Sequence, residues 1–145
     1  MKPFRFTLQA VLTVRQRQER EALERYAAAL MERRKAGEAL ESAEEELAHG
    51  AEVLRSRLAS AVSAGDVARQ QDHLREMDAR RGQAVEVLRG ADRGVASALR
   101  AMLEARRQRE VVEQCRDKQR LRHQRDQAAA EAKLIDELAL RRNAS

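Results

Sequence analysis

The sequence predicts an all-α protein, an antiparallel two-helix coiled-coil hairpin in which the second helix is the longer. Three observations predict this fold class: a composition typical of long helices, apolar residues spaced alternately by three and four, and a turn signal near mid-chain. Charged side chains make up 37% of the 145 residues and aromatic side chains only 2%, with no Trp. Such a composition is typical of coiled coils and supplies too little bulk for a compact globular core.

Two heptad rows run through the first half of the chain and favour order over the disorder that high charge alone would suggest. The rows are offset by three residues, so together they form one face of a helix. The first row is Leu12, Glu19, Tyr26, Arg33, Leu40, Leu47 and Leu54, and the second is Ala22, Ala29, Ala36 and Ala43. Leu23 and Leu30 are expected to broaden this face. We predict a first helix over about residues 7–59.

A turn signal follows this pattern, at about residues 60–64. The leucine row lapses there, and Gly65 interrupts the helix propensity. Ser63 and Asp66 have the spacing of a capping box, in which the Ser63 hydroxyl accepts from the Asp66 amide while Asp66 reaches back. A short connection makes neighbouring helices antiparallel. The alternative is one unbroken helix that dimerises with a second chain.

The second half of the chain repeats the two rows and predicts a second helix over about residues 65–142. Its rows are Val67, Leu74, Arg81, Leu88, Val95 and Met102, and Met77, Ala84, Ala91, Ala98, Ala105 and Val112. Large residues in one row facing small ones in the other give a thin seam between the helices. Because Glu19, Arg33 and Arg81 interrupt the rows, the seam is expected to be marginal. Residues 1–145 are then a single coiled-coil domain.

The predicted hairpin has unequal arms. With a turn near residue 61, a residue i of the first helix faces about residue 122 − i of the second. The first helix runs out near Thr7, so residues past about 118 are expected to lack a partner, an overhang of roughly 40 Å. Residues 106–125 carry eight Lys/Arg against three acidic residues, and Leu134 and Leu138 then form a short apolar face. This combination suggests a docking surface, and a fraying, solvated helix end is the alternative.

Patterns that indicate catalysis or ligand binding are missing from the sequence. His49, His73 and His123 are far apart and have no Cys or acidic neighbour at metal-ligand spacing. Cys115 is better explained as a small seam residue than as a nucleophile. The six glycines are scattered singly and form no phosphate-binding loop. We therefore predict no enzymatic activity, no metal, no cofactor and no small-molecule substrate.

Charge and hydropathy also bear on the class of partner and on location. Clustered Arg can bind nucleic-acid phosphates, but no aromatic platform accompanies the cluster and acidic residues are interleaved, so no nucleic-acid partner is expected. The basic stretch lacks the wide apolar face of a membrane-surface helix. With one Cys, no apolar stretch of membrane-spanning length and no secretory signal, the sequence predicts a cytoplasmic protein.

The string FRFTLQAVL at residues 4–12, followed by Arg15 and Glu19, resembles the opening of the FliJ family, soluble components of the bacterial flagellar type III export apparatus. The string DELALRR at residues 136–142 looks like that family's usual ending. The resemblance implies a non-enzymatic stalk, similar to the central gamma subunit of rotary ATP synthases, at the cytoplasmic face of the inner membrane. Its implied partners are the hexameric export ATPase, the cytoplasmic domain of the export-gate membrane protein, and export chaperones.

Three groups of residues acquire expected roles from this resemblance. The group expected to bind the ATPase is Arg116, Arg120, Arg122, Arg125, Leu134 and Leu138. The group expected to pack the open end of the hairpin is Phe4, Phe6, Leu8 and Leu12. The group expected to bind the export gate is Val67, Leu74 and Met77, although His73 stands where a large apolar or aromatic residue is expected. The alternative functions are the equivalent stalk of a virulence type III secretion system, and a generic coiled-coil scaffold or nucleic-acid binder.

Overall fold

A computed structural model describes residues 2–144, which form two α-helices and, within that range, no strand. Helix α1 spans Gln9–Ala59 and helix α2 spans Ala64–Ala144. With 51 and 81 residues respectively, α2 is the longer helix. The helices contact each other, and early residues of α1 pair with late residues of α2, which confirms the predicted helical hairpin with a longer second helix.

The contacts divide the chain into two compact units, each containing parts of both helices. The terminal unit consists of Met1–Glu21 and Met102–Ser145, and the central unit consists of Ala22–Ala101. The expectation of a single domain over residues 1–145 stays a prediction.

In the central unit the two helices meet along the heptad rows. Ala22 and Ala36 are buried, and the other residues of both rows within this unit are half-buried apart from Arg33. The exposed Arg33 reaches across to α2, where its Nε lies 2.6 Å from Oδ1 of Asp92. This interruption of the row is therefore matched by an opposite charge on the partner helix.

Leu23 and Leu30 do not broaden the seam. They are 53% and 39% exposed, so the expectation made for them is wrong. Each follows the alanine row by one residue, and one residue is a rotation of about 100° around a helix. Their side chains are thereby turned out of the contact face. The contact face of α1 therefore consists of the two heptad rows alone, without Leu23 and Leu30.

Gly50 continues the alanine row seven residues after Ala43 and is buried. A Cβ atom at this position would lie 2.8 Å from Cδ2 of Leu74 and 3.1 Å from Sδ of Met77. The side-chain amide of Gln70 also donates to the Gly50 carbonyl oxygen at 3.3 Å. The absence of a side chain at Gly50 therefore allows α2 to approach α1 closely near the turn.

The connection between the helices carries a cap on α2. The Asp66 amide donates to Oγ of Ser63 at 3.3 Å, as the capping-box spacing predicts. The Asp66 carboxylate, however, accepts from the Ser63 hydroxyl at 2.9 Å, where a capping box would place it on the Ser63 amide. The side chain thus holds the hydroxyl in place, and the Ser63 carbonyl oxygen also accepts from the Asp66 amide at 3.1 Å.

Candidate partner-binding surface

The seam of the terminal unit is largely polar. Its apolar anchor is Leu12, which is 1% exposed. Further along α1, Arg15 donates from Nη1 to Oε1 of Gln108 on α2 at 2.7 Å. Arg109 donates from Nε to the carboxylate of Glu19, and its Nη1 lies 2.6 Å from Oε2 of Glu113.

The ion pair between Glu19 and Arg109 crosses the seam where the sequence showed only an interruption. The side chains of Arg109 and Glu19 are 19% and 25% exposed. The hydrogen bond to Glu19, together with the nearby negative charges, raises the pKa of Arg109 above its ordinary value. Arg109 is therefore charged at any physiological pH. Opposite charges on facing helices fix which residues lie opposite each other.

Residues Lys2–Phe6, called here the N-terminal strap, precede α1 without helical structure and lie along α2. The Phe4 ring is 5.6 Å from the ring of His123, at an angle of 49° between the ring planes. Cζ of Arg120 lies 5.6 Å from the centre of the same Phe4 ring. The side-chain amide of Gln127 donates to the carbonyl oxygen of Lys2 at 3.2 Å.

The strap corrects the expectation that α2 lacks a partner past about residue 118, because chain contacts extend as far as Gln127. The physical reason is the reach of an extended chain, which spans about 3.3 Å per residue against about 1.5 Å in a helix. Each extended residue of the strap thus runs past about two residues of α2, whereas a helical residue would run past only one. A sequence count that assumed helix against helix could not find this.

Residues 128–144, called here the C-terminal overhang, are all exposed. At 1.5 Å per residue the overhang is about 25 Å long, shorter than the roughly 40 Å expected. Leu134 and Leu138 lie one turn apart and are 56% and 55% exposed, and the neighbouring Ile135 is exposed as well. The overhang therefore carries a narrow apolar stripe with no cover from the described part of the chain.

Unpaired cations lie just before the overhang. Lys118, Arg122 and Arg125 are exposed, and within residues 2–144 none of them forms an ion pair. Arginines of the central unit are commonly paired within α2, as in Arg80 with Glu76 and Arg89 with Glu86. Positive charge is thus left uncompensated between about residues 118 and 125, which favours an anionic partner.

The structure divides the four arginines assigned to ATPase binding. Arg122 and Arg125 are exposed and unpaired among the described residues. Arg120 is exposed and lies over Phe4. Arg116 is half-buried, with its Nε 3.4 Å from Oδ1 of the adjacent Asp117. Sequence reasoning omitted Lys118 from this group, although it lies in the same basic stretch and is equally unpaired.

The other predicted groups lie as follows. Phe4 and Phe6 of the strap are half-buried, whereas Leu8 is exposed and its carbonyl oxygen accepts from the Leu12 amide at 2.9 Å within the helix start. The three residues assigned to gate binding lie half-buried in the central unit: Val67, Leu74 and Met77. Leu74 and Met77 lie against Gly50, so both contribute to the contact between the two helices. The functional roles of both groups stay predictions.

Over residues 2–144, no cluster of three or more His, Cys, Asp or Glu side chains has a geometry suited to a metal ion. The same range contains no helix that combines the length and the apolar character of a membrane span. Cys115 is half-buried, and its Sγ lies 3.8 Å from the side-chain nitrogen of Gln119.

Comparison with known proteins identifies the family. Residues 4–145 match the family model described as FliJ, flagellar FliJ protein. The chain belongs to the FliJ family. No curated protein and no solved structure matches the chain. Membership of the FliJ family implies a role related to flagellar protein export and association with the flagellar export apparatus.

Proposed function

We propose that this FliJ-family chain is a non-enzymatic stalk and adaptor of the flagellar export apparatus, whose C-terminal overhang enters the ring of the hexameric export ATPase. The observation that carries this proposal is the exposed overhang with its apolar stripe, preceded by unpaired cations. A helix end whose apolar stripe, Leu134 and Leu138, is exposed among the described residues can enter a central pore. The stalk acts by stimulating or coupling the ATPase and carries out no chemistry itself.

Charge supports an anionic partner at this surface. Lys118, Arg122 and Arg125 are solvent-exposed, and none of them forms an ion pair with a described acid. Acidic loops lining a pore would be attracted to them over a distance of about 10 Å at ordinary salt. Complementary charge chiefly speeds association and fixes orientation. In this proposal the cations guide the stalk, while Leu134 and Leu138 supply the apolar contact in the ring.

The same proposal extends to the membrane side of the apparatus. The cytoplasmic domain of the export gate is bound through the part of α2 that follows the turn, with Val67, Leu74 and Met77 offering their accessible edges. Export chaperones are further partners. The protein then works in the cytoplasm, at the cytoplasmic face of the inner membrane. The match to the flagellar family model favours this system over the equivalent stalk of a virulence secretion system.

Removal of the overhang tests the ATPase contact. A chain ending at Gln127 keeps every strap contact described above but loses residues 128–145. We expect it to bind the cognate export ATPase weakly and to lose stimulation of ATP hydrolysis. Far-ultraviolet circular dichroism serves as the control, because the remaining hairpin should stay helical. Full stimulation by the truncated chain would contradict the proposal.

Charge removal tests the guiding role. Replacing Lys118, Arg122 and Arg125 with Ala should slow association with the ATPase, and the loss should be larger at low salt than at high salt because salt screens these charges. A matched control replaces Arg75, Arg80 and Arg89, which form ion pairs within α2 of the central unit. Both variants lose three positive charges, so an equal loss in both would indicate a general charge effect and would argue against a local contact.

A further inference from the structure

The strap and the overhang share one face of α2. His123 and Gln127 contact the strap, and Gln119 is half-buried one turn before His123 on the same face of α2. Steps of three and four residues from Gln127 lead to Ala130, Leu134 and Leu138, so these residues continue the same face. The strap covers the first part of this face, and no described residue covers the second.

Among the described residues, few ring contacts and hydrogen bonds link the strap to α2. They are the tilted packing of Phe4 on His123, the stacking of Arg120 on Phe4, and the single hydrogen bond from Gln127 to Lys2. Within residues 2–144 no hydrogen bond between two backbone groups joins the strap to α2. Exposed cation–π and aromatic contacts are weak individually. A partner that gains contact area beneath the strap can therefore displace it at small cost.

We infer that the N-terminal strap masks part of the partner-binding surface, and that the partner gripping the overhang displaces the strap to reach Gln119, His123 and Gln127. This inference rests on the proposed function and adds a regulatory element to it. The bound partner then covers one continuous face from about residue 119 to residue 138. Phe4 is the competitor for that face, and its release lengthens the contact by about two helical turns.

Weakening the strap tests the competition. Phe4→Ala removes both ring contacts but leaves α1 and α2 intact. The variant strap is held to α2 by fewer contacts, so the partner displaces it at a lower cost in free energy. The full-length variant should therefore bind the export ATPase about fivefold more tightly than the unaltered chain. Val11→Ala is the matched control, since Val11 is an exposed apolar residue of the same unit outside the strap. Unchanged or weaker binding by Phe4→Ala overturns the inference.

Locking the strap tests the same point in the opposite direction. In a Cys115→Ser background, Lys2→Cys and Gln127→Cys are joined by a cleavable bismaleimide. The locked chain should bind the ATPase at least about fivefold more weakly, and cleavage of the linker in the same sample should restore binding. Because the two states have one sequence, a folding defect cannot produce the difference. Equal binding before and after cleavage overturns the inference.

A third variant separates failure of this inference from failure of the proposed function. Leu134→Ser with Leu138→Ser should abolish binding if the overhang is the contact. If it does so while Phe4→Ala and the locked strap bind normally, the masking inference alone is wrong. If Leu134→Ser with Leu138→Ser leaves binding unchanged, the overhang is not the contact, and both the proposed function and the masking inference fail.

Discussion

At the scale of single residues, polar side chains decide much of the contact between the helices. Glu19 and Arg33 stand in rows that are otherwise mostly apolar, and each faces an opposite charge on α2. A partly exposed ion pair contributes at most about 1 kcal/mol. Its larger effect is to penalise a shifted pairing, because a lone charge left in the seam would have no partner. Glu19 and Arg33 therefore specify alignment, whereas Arg81 pairs with Asp78 within α2.

Charge reversal tests this role for Glu19 and Arg109. Glu19→Arg alone should lower the free energy of unfolding by about 1–2 kcal/mol, because two cations would then face each other. Arg109→Glu should do the same, and the two changes together should recover about 1 kcal/mol. Urea unfolding followed by circular dichroism measures the coupling. Additive losses in the double variant would contradict an interaction across the seam.

The raised pKa of Arg109 fixes the sign of any pH effect from this residue. A cation whose folded-state pKa is raised stabilises the folded state fully below its ordinary pKa and loses that contribution as pH rises through the folded value. Both values lie far above neutrality. Titration of Arg109 should therefore leave the unfolding free energy unchanged across the neutral range.

Gly50 gives a second prediction at residue scale. Gly→Ala inside a helix normally stabilises by about 0.5–1 kcal/mol. Gly82→Ala should show that gain, because no atom beyond its chain neighbours and its own turn of helix backbone lies within 4 Å of the added Cβ. The free energy of unfolding of Gly50→Ala should be about 1 kcal/mol or more below that of Gly82→Ala, since Leu74 and Met77 must move to make room for the added methyl group. Equal gains in urea unfolding would show that the helices relax without cost.

At the scale of elements, the sequence predicted both helices and the turn well because their signals are local or periodic. The rows built on Ala29, Leu47 and Leu88 are half-buried as the heptads indicated. The strap was only partly predictable. The resemblance to the FliJ family implied that Phe4 and Phe6 pack the open end of the hairpin, but the reach of an extended segment depends on tertiary contacts that the heptad pattern does not record. The exposure of Leu23 was missed because apolar character alone does not give direction around a helix.

The cap on α2 yields a prediction at this scale. Ser63→Ala removes the hydroxyl that accepts from the Asp66 amide and donates to its carboxylate. We expect a loss of about 1 kcal/mol in unfolding free energy, typical of a lost helix N-cap. Ser56→Ala provides a comparison within α1. A loss no larger than that of Ser56→Ala would mean that backbone hydrogen bonds alone hold the turn.

At the scale of the whole molecule, charge is distributed unequally between the two units. The terminal unit contains 16 Lys/Arg against 10 Asp/Glu, whereas the central unit contains 13 against 14. The excess positive charge of the chain thus belongs to the unit that carries the strap and the overhang. This distribution suits one anionic partner for the terminal unit and a different kind of partner for the central unit.

The pairing of α1 with α2 within one chain predicts the oligomeric state. Because each helix finds its apolar partner in the same chain, the purified protein should be a monomer of 16.5 kDa. Multi-angle light scattering measures this mass, and circular dichroism should show high helicity in the same sample. A stable dimer at low micromolar concentration would favour helices exchanged between chains and would count against the hairpin in solution.

The scarcity of buried residues has a consequence for how the protein opens. Within residues 2–144 only Leu12, Ala22, Ala36 and Gly50 are buried, and three of the four are among the smallest residues. Each turn of α1 is consequently stabilised mainly by the turn of α2 that faces it, and little by distant parts of the chain. Repeat proteins are stabilised in the same way, by contacts between neighbouring repeats. Amide protons should then exchange in a graded series of local openings, so that one stretch can unzip while others persist.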